Sequence, residues 1–198
     1  MGKTQGKSSQ SAPSGITPLL EPLVPLQRLL EHFDNQGVII GGIAASLLGK
    51  PRFTAGIDGV ILLSVDDLPE LIDAASEQGI EPRIADAEAF AQKHRVLLLQ
   101  HQASGTNIDI SLGILPFETE IASRSQTLNV GGLNLRLPTP EDLIILKAVA
   151  HRPQDLMDIQ AIAASQPDLD IGRIQFWVEQ FGDALEIPEL WEKISQLL

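Results

Sequence analysis

Residues 41–63 read GGIAASLLGKPRFTAGIDGVILL, and the interpretation of the whole chain turns on them. A glycine pair, Gly41-Gly42, follows the short apolar run Val38-Ile39-Ile40. The small residues of 43–48 suit a helical turn or two, Gly49-Lys50-Pro51 makes a corner, and 53–64 contain a second strand. That strand carries one acid, Asp58, among apolar and small residues. Desolvating a carboxylate costs several kcal/mol unless a cation or hydrogen-bond donors compensate it. Something must face Asp58, and the most economical partner is a metal ion, or a phosphate-bearing ligand with its metal.

Working outward, Leu20, Leu23, Leu26, Leu29, Leu30 and Phe33 recur at helical spacing, which predicts a first helix over 19–33. Beyond the second strand, Asp66 or Asp67 starts a helix that runs to Gln78 and stops at Gly79. Residues 86–93 read as a helix and 96–100 as an apolar strand. A turn at 103–106 leads into the strand Asn107–Leu112, which carries a second acid, Asp109. Residues 128–137, folded over Gly131-Gly132, form a hairpin. Thr139-Pro140-Glu141-Asp142 is a strong helix start, with a capping hydroxyl, Pro at the first position and an acid three residues on. Helices over 140–151, 153–165, 171–181 and 188–198 complete the chain. This predicts an α+β fold: a small mixed β-sheet with flanking helices over 17–138, a helical C-terminal portion over 139–198, and a disordered tail over 1–16.

Composition narrows the function. Of 198 residues, 43% are hydrophobic, enough for a packed core. Cysteine is absent, which excludes disulfides, thiolate zinc sites and a cysteine nucleophile, and favours a cytoplasmic setting. A net charge of -12 opposes non-specific coating of nucleic acid but permits a local basic pocket for one phosphate group or RNA end. No apolar run approaches the roughly 18–20 residues of a membrane span, and the N-terminus lacks the apolar core of a signal peptide.

Several motifs are excluded by inspection. Gly41-Gly42 lacks the later glycines of a dinucleotide fingerprint, and Gly49-Lys50-Pro51 has Pro where a phosphate-binding loop needs Ser or Thr. No G-x-S-x-G or H-E-x-x-H is present, and His32, His94, His101 and His151 show no ligand spacing.

What remains is an ordered set: a strand, a glycine pair opening a helix, a strand acid, and a later strand acid. Glycines at a strand-to-helix turn let a phosphate approach the backbone near a helix N-terminus, or simply let helix and strand pack closely. Strict alternation in Asn107-Ile108-Asp109-Ile110-Ser111 places Asn107, Asp109 and Ser111 on one face. If that face meets Asp58 across one cleft, the two carboxylates form an oxygen-ligand site of the kind magnesium prefers. Alternatively, each acid is salt-bridged or lies at a strand end.

These residues, with Arg52-x-Thr54-x-x-x-Asp58, Ile108-Asp109-Ile110, Lys147 and Arg152-x-x-Asp155-x-x-Asp158, resemble the nucleotidyltransferase (polymerase-beta-like) superfamily. The nearer resemblance is to its bacterial abortive-infection, type IV toxin branch, over about residues 25–165. It implies that Gly41, Gly42, Arg52, Thr54 and Lys147 bind a nucleoside triphosphate, and that Asp58 and Asp109 are catalytic and hold Mg2+ or Mn2+. The implied reaction is two-metal transfer of a nucleotidyl group to a hydroxyl of RNA or a small molecule, and the branch implies an antitoxin protein as partner.

One position departs from the pattern. The first acid of the family's Asp-x-Asp falls at position 56, where this chain has Gly56. Residues 56 and 58 share a strand face, so the missing carboxylate is one that would point at the metals. Its loss is expected to lower metal affinity and rate by about two to four decades. The alternative is therefore a nucleotide-binding or interaction module that keeps the pocket and has lost turnover. For Lys147, beside the apolar stripe Leu143, Ile144, Leu146 and Val149, phosphate contact competes with snorkelling to solvent.

Overall fold

The computed structural model describes residues 15–198. Nearly all of the expected N-terminal tail lies outside them, but Ile16 is inside and is fully buried in the core.

The order is α1 (Leu20–His32), β1 (Gly37–Ile40), α2 (Gly41–Leu48), β2 (Gly56–Ile61), α3 (Leu68–Glu77), β3 (Ile80–Pro82), α4 (Ala87–His94), β4 (Val96–His101), β5 (Asn107–Leu112), α5 (Pro116–Arg124), β6 (Gln126–Val130), β7 (Leu133–Leu137), α6 (Pro140–Ala150), α7 (Pro153–Ser165), α8 (Ile171–Ala184) and α9 (Leu190–Ser195). The fold is α+β, as the sequence predicts. Two elements escaped the sequence reading, β3 and α5. Strand β3 is three residues long and ends on a proline, too short to show alternation. Helix α5 has a legible start, Pro116 followed by Glu118. The Glu118 carboxylate accepts from the Ile114 and Leu115 backbone N–H groups at 2.7 and 2.8 Å.

The main sheet runs β1-β2-β5-β4-β3, with β2 and β5 parallel and the other pairs antiparallel. Its central strands owe their place to alternation: Ile108, Ile110 and Leu112 of β5 are buried, while Asn107, Asp109 and Ser111 face the other way. The β6–β7 hairpin turns at Gly131 and Gly132 with φ of 59° and 87°, the left-handed pair that a two-residue hairpin turn requires.

Helix α6 begins as its sequence predicts, the Thr139 hydroxyl accepting from the Asp142 N–H at 3.3 Å. A single hydrophobic cluster joins the sheet to the helical third, from Ile16 and Leu23 through Ile57 and Ile108 to Ile144, Ile162, Val178 and Ile194. Helices α6 and α7 pack on each other and both touch α2, which brings the C-terminal helices over the edge of the sheet that carries Asp58.

Candidate nucleotide-binding site

One transverse row of the sheet reads Ile40 on β1, Asp58 on β2, Asp109 on β5 and Leu98 on β4. The two acids are therefore direct cross-strand neighbours, about 4.8 Å apart along the hydrogen-bonding direction. They open into a cleft of about 440 Å³. All seven residues singled out from the sequence line it: Gly41, Gly42, Arg52, Thr54, Asp58, Asp109 and Lys147. Arg152 and Asp155 join them from the α6–α7 corner.

The glycine pair serves the strand acid. Gly41 has φ +64°, and a Cβ there would overlap the Asp58 carboxylate. A Cβ on Gly42 would collide with the Thr54 hydroxyl. The space over both glycines is thus filled by side chains from β2 and the loop before it, and the Gly42 N–H donates to Asp58. Burial pushes the Asp58 carboxyl above its ordinary value, and the neighbouring charge of Asp109 pushes it further; the Gly42 bond opposes both. Among the described residues Asp58 forms no ion pair.

Asp109 is different. Arg83, just past β3, clasps it through both guanidinium nitrogens, Nη1 on Oδ1 and Nη2 on Oδ2. The salt-bridged alternative left open by the sequence therefore holds for Asp109 and not for Asp58. No sequence signal marks Arg83, because the edge strand that presents it is itself illegible.

The far wall is a chain of five charges. The Arg52 Nε and Nη2 donate to the two oxygens of Asp158 at 2.7 and 2.8 Å. The Lys147 ammonium donates to Asp158 at 2.6 Å and to Asp155 at 3.2 Å. The Arg152 Nε donates to Asp155 at 2.6 Å. Lys147 is buried, so it neither snorkels to solvent nor stands free in the cleft; two aspartates from α7 share its charge. The Arg152-x-x-Asp155-x-x-Asp158 spacing is what delivers them, one helical turn apart on the same face. Burial alone would raise both of these carboxyls. The bonds from Arg152 and Lys147 at Asp155, and from Arg52 and Lys147 at Asp158, outweigh it and hold both below their ordinary value. Arg152, with 74% of its side chain exposed, is the cation of the set most open to a ligand.

The cleft wall carries three cations (Arg52, Lys147, Arg152) and three acids (Asp58, Asp109, Asp155), a balance unlike the acidic chain as a whole. A pair of divalent ions does not fit this donor set. Gly56 supplies no carboxylate, Asp109 is taken by Arg83, and the described residues contain no cluster of three or more acids and histidines able to hold a metal. One magnesium does fit, because that ion is commonly bound through one or two carboxylates together with substrate phosphates. Asp58 is the carboxylate that could hold it.

A solved structure with this fold, described as an antigenic nucleotidyltransferase-like protein from Paracoccidioides brasiliensis, superposes with a TM-score of 0.51 at 17% identity, covering 91% of this chain and 94% of the other. The model of a family described as nucleotidyltransferase of unknown function, DUF6036, matches residues 23–180, and the chain belongs to that family. No curated protein matches the chain.

Proposed function

We propose that the cleft binds a nucleoside triphosphate with one magnesium ion and presents its α-phosphate to a hydroxyl of RNA or of a small molecule. The observation that carries this reading is the β2–β5 register, which sets Asp58 beside Asp109 on the same cleft as Arg52, Lys147 and Arg152. In this reading Asp58, with the incoming phosphates, would hold the metal, which when bound would supply positive charge to offset that of the phosphates. Arg152 meets the triphosphate from the exposed side, and the Asp158-anchored Arg52 and Lys147 make the inner wall less negative. Thermal-shift scans with magnesium and each of the four nucleoside triphosphates test it. Stabilisation by at least one of them, lost in Asp58→Asn, is expected; no shift from any of them at millimolar concentration would overturn the reading.

A second reading keeps the binding and drops the turnover. It is favoured by Gly56 and by the Arg83 clasp on Asp109, which together leave one unpaired carboxylate where transfer chemistry calls for more. Labelled triphosphate incubated with total RNA separates the two, using wild type and Gly56→Asp. The substitution is sterically tight: a Cβ at 56 lies 3.2 Å from the Asn107 carbonyl oxygen, so that backbone must give by a few tenths of an ångström, and circular dichroism of the variant checks that it folds. Product from wild type supports transfer; product from the substituted chain alone supports a binding module.

The resemblance to the abortive-infection branch extends the proposal to a cytoplasmic toxin with a protein antitoxin. Expression of the chain alone should then arrest growth, and growth unaffected at high expression would remove that extension.

A further inference from the structure

Arg83 is placed by more than its partner. Its backbone N–H donates to the Leu98 carbonyl at 3.1 Å, and Leu98 is the β4 residue paired with Asp109. Its Nη1 also donates to the Leu99 carbonyl at 3.1 Å. The side chain therefore runs from beside β3, across β4, to β5, a distance of two strand spacings or about 10 Å. It is tethered at the backbone and again at the guanidinium before it reaches the acid. With the side chain 23% exposed, its rotamers are restricted by the sheet beneath it.

The guanidinium–carboxylate fork is bidentate, the geometry in which arginine is hardest to replace by a point charge. Each Asp109 oxygen retains a second lone pair, so a metal is not blocked sterically. Its charge, however, is already compensated. A divalent ion recruited there would have to approach a fixed guanidinium at short range. Asp58, one strand over, has no such partner among the described residues, and its carboxylate accepts from a neutral amide, Gly42 N–H. The two neighbouring acids have thus been given different jobs by their surroundings.

We propose that Arg83 is the resident cation of Asp109, occupying the role of a second divalent ion, so that this cleft takes one divalent ion per chain, at Asp58. The inference rests on the metal–nucleotide reading above and deepens it. Arg83 acts as a positioning residue: it neutralises Asp109 permanently, keeps it from repelling the triphosphate, and restricts the metal to one side of the row.

Counting bound Mn2+ by electron paramagnetic resonance, with a slowly hydrolysed triphosphate analogue, tests this without relying on turnover. Wild type should bind one Mn2+ per chain. Arg83→Gln and Arg83→Ala, which free Asp109, should bind two, with Mn2+ affinity at the added site at least about tenfold above any weak second binding in wild type. Arg83→Lys, which keeps the charge, should remain at one. Two ions in wild type would overturn the proposal while leaving the metal–nucleotide reading intact. One ion in folded Arg83→Gln and Arg83→Ala, checked by circular dichroism, would also overturn it, reducing Arg83 to a structural tie. If neither neutral variant folds, the wild-type and Arg83→Lys counts decide. No ion in wild type with the analogue present would sink the metal–nucleotide reading itself, and this inference with it.

Discussion

Gly41 and the Asp58 carboxylate share a volume that admits no methyl group between them. The turn and the acid are therefore one unit, since each is shaped for the other. Gly41→Ala should suffer twice, from its φ of +64° and from displacing Asp58, for a loss of about 2–3 kcal/mol. Gly79→Ala is the control: its φ is +72°, but nothing lies within 4 Å of the added carbon. It should cost only about 1 kcal/mol. Urea unfolding of the two variants measures the difference, and equal losses would mean that Asp58 moves aside freely.

Asp58→Asn should stabilise the apo protein at neutral pH. The folded state raises this carboxyl above its ordinary value of 3.8, so folding favours the protonated form. Wild type thus enjoys the full contribution only below the unfolded value, and loses it as pH climbs through the folded one. The urea midpoint of Asp58→Asn should exceed that of wild type at pH 7, with the gap narrowing towards pH 4. Magnesium–nucleotide affinity should fall by at least about tenfold in the same variant. A residue whose removal helps folding and harms binding is retained for the ligand.

Lys147→Met should cost about 3–5 kcal/mol, because it leaves two buried aspartates short of a partner. The acid limb carries a second signature. Asp155 and Asp158 are held below 3.8, so their stabilisation is complete above that value and disappears as pH drops through the folded ones. Wild type should keep its urea midpoint down to about pH 4 and weaken below it, whereas Lys147→Met should begin to weaken at higher pH. Coincident acid limbs would show that the lysine contributes packing alone.

Asp142, fully buried, ties three helices together, and its two arginines are not equivalent. Arg173 is largely buried, donates to Asp142 at 2.7 Å and also reaches Glu120. Arg124 is 41% exposed and sits at 3.3 Å. Arg173→Leu should cost about 3 kcal/mol or more, and Arg124→Leu less than about 1 kcal/mol, by thermal or urea unfolding.

How much of this was legible beforehand depended on the range of the signal. Alternation named the Asp109 face, the glycines named the turn, and the Thr139 cap named the start of α6, because each is a local pattern with a local cause. Asp58 and Asp109 meet because apolar alternation on both strands sets the register of β2 against β5, while Lys147 arrives by the packing of α6 on α2. Arg83 was invisible: its partner lies twenty-six positions away (109 - 83), on the far side of β4, and the strand that presents it, β3, is only three residues long. The state of Lys147 was half legible. The R-x-x-D-x-x-D spacing was plain, but that it would satisfy the lysine, instead of leaving it for phosphate, depends on how α7 packs against α6.

The grip of Asp158 on Arg52 reaches across 106 positions of chain. A fragment ending at 138 would retain both strand acids and the diglycine bend, yet it would expose the apolar side of α2 and leave Arg52 without an anchor. Co-expressed halves, 1–138 and 139–198, would have to find each other before either had a binding surface to offer. That dependence makes split-protein complementation a direct assay for assembly of this cleft.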